Sequence, residues 1–389
     1  MDRALRVNCL GFMLTFLIAS VILVAPLSAL SQGNWTEKTP MPTARYGLKV
    51  AVVEGKIYAI GGYDSLASLA GPTNPYNYTY AGINEEYNPT TDTWTNKSAM
   101  PKPLQTLGIA VYQNKIYCFS GATTEVYSPA DDTWETKASM PHPRIHVAAS
   151  LFNDKIYVMG GRTGGPDTTV ALNEVYDPAT DKWTTKASMP YPVIQSASAV
   201  VGNKIYVMGG QNEYKVNGTM TMSTNQIYDT ETDTWSLGAS LPTAVWMASA
   251  GVVESKICVV GGQLDMMMDG TNMVQIYNPA NNNWSNGTSM PCARFGLAIA
   301  VLNDKLYAIG GTDGYLFPGE KAMANNEIYS PLGYEPEYST TESKTQDALP
   351  MELLIIVISL VIISVILLAL AKARRANSTS KPFSGLNQI

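Results

Sequence analysis

The chain has almost no histidine: His142 and His146 are the only two among 389 residues. They stand four apart in a loop-to-strand region with no further ligands near them, which makes a poor metal site. No metal or cofactor is expected. Cysteine is scarce as well. Cys9, Cys118, Cys258 and Cys292 form no CxxC pair, and such scattered thiols build no disulfide framework. Charged residues are only 15% of the chain and the net charge is −6. The basic footprint that nucleic acid requires is therefore missing. There is no GxSxG, no HExxH, no phosphate-cradling loop and no EF-hand loop. Asp265, Asp269, Asp313 and Glu320 are loop carboxylates, and spacing alone assigns them no acid–base role. These absences argue for binding rather than catalysis.

Both ends are apolar. Residues 1–31 read as a secretory signal, with Arg3 and Arg6 before an apolar run from Leu10 to Val24. Ala29-Leu30-Ser31 places small residues at −3 and −1 for a cut before Gln32. Residues 349–371 are 23 long and carry one charge, Glu352. As a helix they reach about 34 Å, enough to cross the hydrocarbon core. Lys372, Arg374 and Arg375 follow at once, which sets the tail at 372–389 inside the cell. The expected order is signal, outside domain at 32–330, linker at 331–348, one transmembrane helix and a cytoplasmic tail. This is the topology of a single-pass plasma-membrane protein.

The middle is repetitive. Lys56–Gly62, Lys115–Gly121, Lys155–Gly161, Lys204–Gly210, Lys256–Gly262 and Lys305–Gly311 share one pattern of Lys, apolar residues, Tyr and Gly-Gly. Cys258 replaces the Tyr in the fifth, and Ser120 the first Gly in the second. A second half follows in which Tyr87, Tyr127, Tyr176, Tyr228 and Tyr277 each precede a Trp by seven residues: Trp94, Trp134, Trp183, Trp235 and Trp284. Six residues after each Trp comes Met-Pro or Leu-Pro. An apolar segment precedes each Lys, joined to it by a two-residue turn such as Asn153-Asp154, the composition of a hairpin. The unit is four short antiparallel strands, a to d, and radial repetition of such units makes a β-propeller. Six b strands but only five internal Tyr–Trp pairs leave one d strand missing at the C-terminal end. Trp35, six residues before Met41-Pro42, supplies it. An N-terminal strand is expected to complete the sixth blade and close the ring.

These Gly-Gly, Tyr and Trp landmarks resemble the Kelch repeat family over about residues 34 to 330. The resemblance implies an all-β, six-bladed propeller whose landmark residues are structural. The b–c connections vary from residues 122–124 to residues 63–84, and variable loops on a rigid scaffold are where binding resides. The blade-1 loop holds Tyr63, Tyr76, Tyr78 and Tyr80, suited to adaptable contacts. Met266, Met267 and Met268 lie in the blade-5 loop and are a soft surface or filler. At the start of strand a stand Arg45, Arg144 and Arg294, flanked by Tyr46, His146, Trp246 and Phe295. Three arginines at one mouth can grip carboxylates or sugars, or pair with acidic neighbours inside. In Kelch propellers that bind acidic peptides, arginines here often do this work, so the resemblance implies a ligand site.

The expected role is an extracellular, membrane-anchored binding or adhesion module for a protein or carbohydrate ligand. Some six-bladed Kelch proteins are sugar mutarotases acting on sialic acid, and an arginine mouth suits a carboxylated sugar; this is the alternative. A structural cell-surface component is the third reading. Glycosylation sequons occur at Asn34, Asn77, Asn96, Asn217, Asn283 and Asn286.

Overall fold

Alternating apolar residues bounded by two-residue turns pair into hairpins, and each hairpin here seeds a blade. In blade 1 strand a is Lys49–Val53 and strand b Lys56–Ile60, and the pair faces Ala51 to Tyr58. At the joint both Glu54 and Gly55 have left-handed backbone, φ 49° and 73°. Two left-handed residues in succession are the type I′ turn that matches strand twist. Gln113-Asn114, Asn153-Asp154, Glu254-Ser255 and Asn303-Asp304 repeat it.

The computed structural model describes residues 33–64, 82–104, 107–164, 168–216, 219–265, 269–314 and 322–330. They form a propeller of six four-stranded sheets. Strand c of blade 1 is Asn84–Asn88 and strand d is Thr93–Asn96. The Tyr–Trp spacing of seven is a register: Tyr87 sits opposite Trp94, as Tyr127 does opposite Trp134. The sixth sheet takes its outer strand from the N-terminal side. Asn34–Glu37 pairs antiparallel with Asn326–Ser330, with Trp35 opposite Tyr329. The expected closure is present.

Among the described residues there is no helix, hence none long and apolar enough to cross a membrane. The signal, linker, span and tail expected at 1–31, 331–348, 349–371 and 372–389 lie outside the described residues.

The core is divided into layers between neighbouring blades. Ala51, Val53 and Tyr58 of blade 1 pack with Ile116, Cys118 and Tyr127 of blade 2. Each strand-b tyrosine meets the strand-c tyrosine of the next blade: Tyr58–Tyr127 at 5.9 Å, Tyr117–Tyr176 at 5.9 Å, Tyr157–Tyr228 at 5.7 Å, Tyr206–Tyr277 at 5.8 Å and Tyr307–Tyr87 at 6.2 Å. Centroids at this distance fall in the favourable range for tilted aromatic pairs. Each strand-d tryptophan donates its indole N–H to a carbonyl of the preceding blade or link. The acceptors are Thr39 for Trp94, Ser98 for Trp134, Ala138 for Trp183, Ala187 for Trp235, Ala239 for Trp284 and Thr288 for Trp35. Apolar layers and edge hydrogen bonds together hold blade to blade.

A third device repeats near the c–d turn. Asp181 Oδ1 accepts the Tyr176 hydroxyl at 2.6 Å and the Ala138 N–H, one blade back, at 2.8 Å. Asp92, Asp132 and Asp233 do the same for their blades, and Asn282 replaces them in blade 5. At the equivalent place before Trp35 stands Gly33.

Candidate functional site

At the top of strand b the chain leaves the ladder at Gly-Gly, where both glycines have positive φ, 66° and 92° in blade 1. A side chain on Gly62 would put its Cβ 2.8 Å from the Tyr46 carbonyl oxygen, so only glycine fits that approach. Leaving the ladder frees carbonyls that require donors. Arg144 supplies them: its Nε donates to Gly160 O at 2.8 Å and its Nη2 to Val158 O at 2.9 Å. Its Nη1 pairs with the strand-c carboxylate of Glu174, which also accepts His142 Nδ1 at 2.6 Å. Arg45 donates to Gly61 O at 2.7 Å and to Glu85 Oε2 at 2.6 Å. Arg294 donates to Glu327 Oε2 at 2.9 Å and to Ala308 O at 3.3 Å.

The arginines are thus not a ligand-gripping mouth. Their exposures are 0% for Arg45, 1% for Arg144 and 0% for Arg294, and each guanidinium already has a carboxylate. Burial pulls the pKa of Arg144 and Arg294 down from the usual range, and the glutamates oppose this. The carboxylated-sugar alternative loses the feature that suggested it. Blades 4 and 5 show the same position without charge. Val193 and Val245 replace the arginine, while Gln226 and Gln275 replace the glutamate. Their amide oxygens accept Tyr191 N–H and Thr243 N–H, each at 2.9 Å.

The aromatic flank is also sealed. Tyr46 and Trp246 are 7% exposed and Phe295 1%. These residues belong to a second tier of short antiparallel bridges above the main sheets. Tyr46 pairs with Tyr63 and stacks on it at 5.0 Å, Trp246 pairs with Gln263, and Phe295 with Thr312. Ile145 pairs with Arg162 and Ile194 with Gln211 in the same way. The tier anchors the base of the b–c loop in blades 1, 3, 4, 5 and 6. These positions recur one residue after Gly-Gly and one after the Arg/Val position, but no shared residue type marks them in the sequence. Tyr76, Tyr78, Tyr80 and Met266 to Met268 lie outside the described residues.

One residue further on, the chain turns down into strand a through left-handed backbone: Gly47, His146, Gln195, Met247 and Gly296, φ 51° to 67°. These residues link blade to blade. Gly47 N–H donates to Gly296 O at 2.6 Å, Gly296 to Met247 O at 2.9 Å, Met247 to Gln195 O at 3.1 Å and Gln195 to His146 O at 3.1 Å. The backbone thus makes an arc of hydrogen bonds around the mouth of the central channel. His146 belongs to this arc, and its buried Nδ1 has no hydrogen-bond partner. Burial first, then the positive charges of Arg162 and Lys49, push its pKa down to about 4. It is a neutral imidazole at physiological pH.

Below the arc the channel holds about 170 Å³, bordered by Lys49, Gly108, Ala149, Ser196, Ser198 and Ser249 among others. Lys49 was not singled out in the sequence, although a signal was there: the matching positions are Gly108, Ala148, Ala197, Ser249 and Ala298. A second cavity, about 450 Å³, lies away from the mouth, between blades 5 and 6, against Gly33, Cys258, Trp284 and Tyr329. Burial pushes the Cys258 thiol up to about 12, so it is no nucleophile at neutral pH. No cluster of three or more metal-ligating side chains exists among the described residues.

Four of the six sequons can be placed. Asn34, Asn96, Asn283 and Asn286 lie on outermost strands and are exposed. Asn77 and Asn217 lie outside the described residues.

Comparison with known proteins matches this geometry. The model described as the KLHDC2/KLHL20/DRC7 Kelch-repeats domain matches residues 132–311, and the Kelch motif model matches residues 44–101 and 293–335. The chain is 41% identical over 70 residues to Kelch-like protein terF of Aspergillus terreus, covering 18% of this chain and 14% of that protein. It is 28% identical over 99 residues to Kelch repeat and BTB domain-containing protein 1 of cowpox virus, covering 25% and 16%. The chain thus spans a small part of the relatives it matches. The solved structure of YjhT superposes with a TM-score of 0.61 at 16% identity, covering 75% of this chain and 96% of that one, a likeness of fold alone.

Proposed function

Because this chain belongs to the Kelch-repeat family, we propose that it is a non-catalytic binding protein whose propeller is held outside the cell by one C-terminal span and takes a protein or glycan on its b–c loop face. The observation that carries the reading is the second tier of bridges. It roots loops of different length and sequence at equivalent positions in five of the six blades, and Kelch propellers generally serve as interaction scaffolds. A rigid base lowers the ordering cost of binding. Exposed sequons on outer strands support an extracellular setting, as do the apolar runs at 10–24 and 349–371. The described chain ends at Ser330, paired with Asn34 at the end of strand c. That end lies on the face opposite the b–c loops.

The test uses the full chain in lipid nanodiscs on glycan and peptide arrays. Replacing the blade-3 and blade-5 loops with the short blade-2 connection, Ala122 to Thr124, should abolish binding. Changing the opposite turns at Gln113-Asn114 and Asn303-Asp304 should not. Binding indifferent to the loop exchange overturns the reading, and self-association without any ligand favours a structural component. Residues 1–31 remaining on the mature protein, or accessibility only from the cytoplasm, would overturn the topology.

A further inference from the structure

We propose that the central channel is a binding site for a small oxyanion, a carboxylate or phosphate, held by Lys49. Five of the six blades present a small residue at this point of strand a: Gly108, Ala148, Ala197, Ser249 and Ala298. Blade 1 presents a lysine. Its side chain borders both the narrow mouth beneath the hydrogen-bonded arc and the 170 Å³ space below. Among the described residues its ammonium has no hydrogen-bond or ion-pair partner. Among the described residues no Asp or Glu lines either cavity. The interior carries other cations, but Arg45, Arg144 and Arg294 each have a glutamate. Lys49 is the exception to that rule.

A second observation points the same way. Buried polar atoms normally find partners, yet His146 Nδ1, bordering the same mouth, has none among the described residues. Ser196 also borders both cavities, and its hydroxyl makes no hydrogen bond among the described residues. Ser249 Oγ accepts Ile299 N–H at 3.0 Å, which leaves its own proton to donate. An ammonium and two hydroxyl donors without a carboxylate form a donor set, and its complement is an acceptor-only group carrying negative charge. The His146 nitrogen joins the set when its ring carries the proton there. Desolvation pulls the pKa of the half-buried Lys49 down, so a counter-charge in the channel favours its charged form. A volume of 170 Å³ exceeds the ~30 Å³ share of one water several-fold. It admits a tetrahedral or planar oxyanion with waters, and excludes a peptide or an oligosaccharide. The site is therefore separate from any ligand of the loop face.

The experiment is calorimetry and thermal unfolding of the full chain in nanodiscs in chloride-free buffer, with inorganic phosphate, formate and chloride as probes. Wild type should bind phosphate or formate at one site per chain and melt a few degrees higher when saturated, as selective binding to the native state requires. Lys49→Ala should fold, since alanine stands at three of the matching positions, and should bind at least tenfold more weakly with no melting response. Phosphate binding without formate binding assigns a phosphate site, and the reverse a carboxylate site. Three results overturn the proposal: equal responses in wild type and Lys49→Ala, no response to either oxyanion in wild type, and a response to chloride as large as to the oxyanions. The first means surface binding, the second a lysine solvated by channel water alone, and the third a halide site.

Discussion

Trp35 and Thr288 are 253 residues apart and joined by one hydrogen bond, the indole N–H donating to the Thr288 carbonyl at 2.9 Å. Trp35 also stacks on Tyr329 at 4.9 Å. The two chain ends of the propeller meet here, so blade 6 is held without covalent continuity between its outer strands. Deleting Asn34 to Pro42 should expose the edge of Asn326–Ser330 and unfold the domain cooperatively at a much lower temperature. Trp35→Ala, half-buried, should cost about 2 kcal/mol, less than the ~3–5 kcal/mol of a fully buried tryptophan. Chemical denaturation measures both. An unchanged midpoint in the deletion would show that the ring does not depend on this strand.

The Arg–Glu pairs lend themselves to a double-mutant cycle. Arg144→Val alone leaves Glu174 buried without its main counter-charge, and Glu174→Gln alone leaves the Arg144 guanidinium uncompensated. Removing one partner of a buried pair costs about 3–5 kcal/mol. Blades 4 and 5 already carry the exchanged set, Val193 with Gln226 and Val245 with Gln275. Arg144→Val with Glu174→Gln should therefore recover most of either loss, with a coupling above about 1.5 kcal/mol by urea unfolding. Additive losses would mean that the arginine acts through the Gly160 and Val158 carbonyls and not through the glutamate.

Why the blades were legible and the mouth was not follows from what each demands of the sequence. Tyr87 and Trp94 face one another across two strands, so the register of the sheet is written as a spacing of seven. Asn153-Asp154 fill left-handed positions, which few residue types tolerate, and the turn is visible for that reason. Arg144 is different. Its place at the start of strand a is apparent, but whether it points to solvent or to the carbonyls of Val158 and Gly160 depends on where strand b leaves its ladder. A partial clue was pairing inside the chain: arginine occurs with glutamate and valine with glutamine some 30 to 40 residues apart, while blade 2 keeps Glu125 with Leu104. Lys49 carried a similar clue, one large charged residue in a column of small ones. The loop tips carry no repeat, and part of them lies outside the described residues.

Acid should loosen the ring through its aspartate latches. The Tyr87 hydroxyl holds the Asp92 carboxyl below the ordinary carboxylate range, and Tyr176 does so for Asp181. A carboxyl with a depressed native pKa stabilises the fold above its unfolded pKa, and that stability is lost as pH falls through the native value. The melting midpoint should therefore decline between about pH 5 and about pH 3. Changing Asp92, Asp132, Asp181 and Asp233 together to Asn should flatten the decline, because Asn282 already holds the Tyr277 hydroxyl at 2.7 Å and the Ala239 N–H at 2.7 Å with an oxygen that does not titrate. Glu86, Glu135 and Asp177 are depressed as well, so part of the decline should survive. An identical acid limb in the quadruple variant would remove the latches from the account.

The seam between blades 5 and 6 should be the one most easily improved. At the other five seams a strand-b tyrosine packs on the next blade's strand-c tyrosine. Here Cys258 stands in the tyrosine's place against Tyr329, and Gly33 stands where other blades carry the latch aspartate or asparagine. The 450 Å³ cavity borders both residues. Lost contact across such a space weakens a core in proportion to the missing neighbours. Cys258→Tyr restores the ring that the repeat carries at the other five seams. The variant should gain about 1 kcal/mol, in the range of cavity-filling substitutions. Replacing Gly33 should not help: a Cβ there would sit 2.4 Å from the Ser330 carbonyl oxygen and 2.7 Å from the Tyr329 ring. Thermal unfolding of Cys258→Tyr beside Gly33→Ala separates the two sites. A loss of stability in Cys258→Tyr would show that the cavity does not open toward the Cys258 side chain.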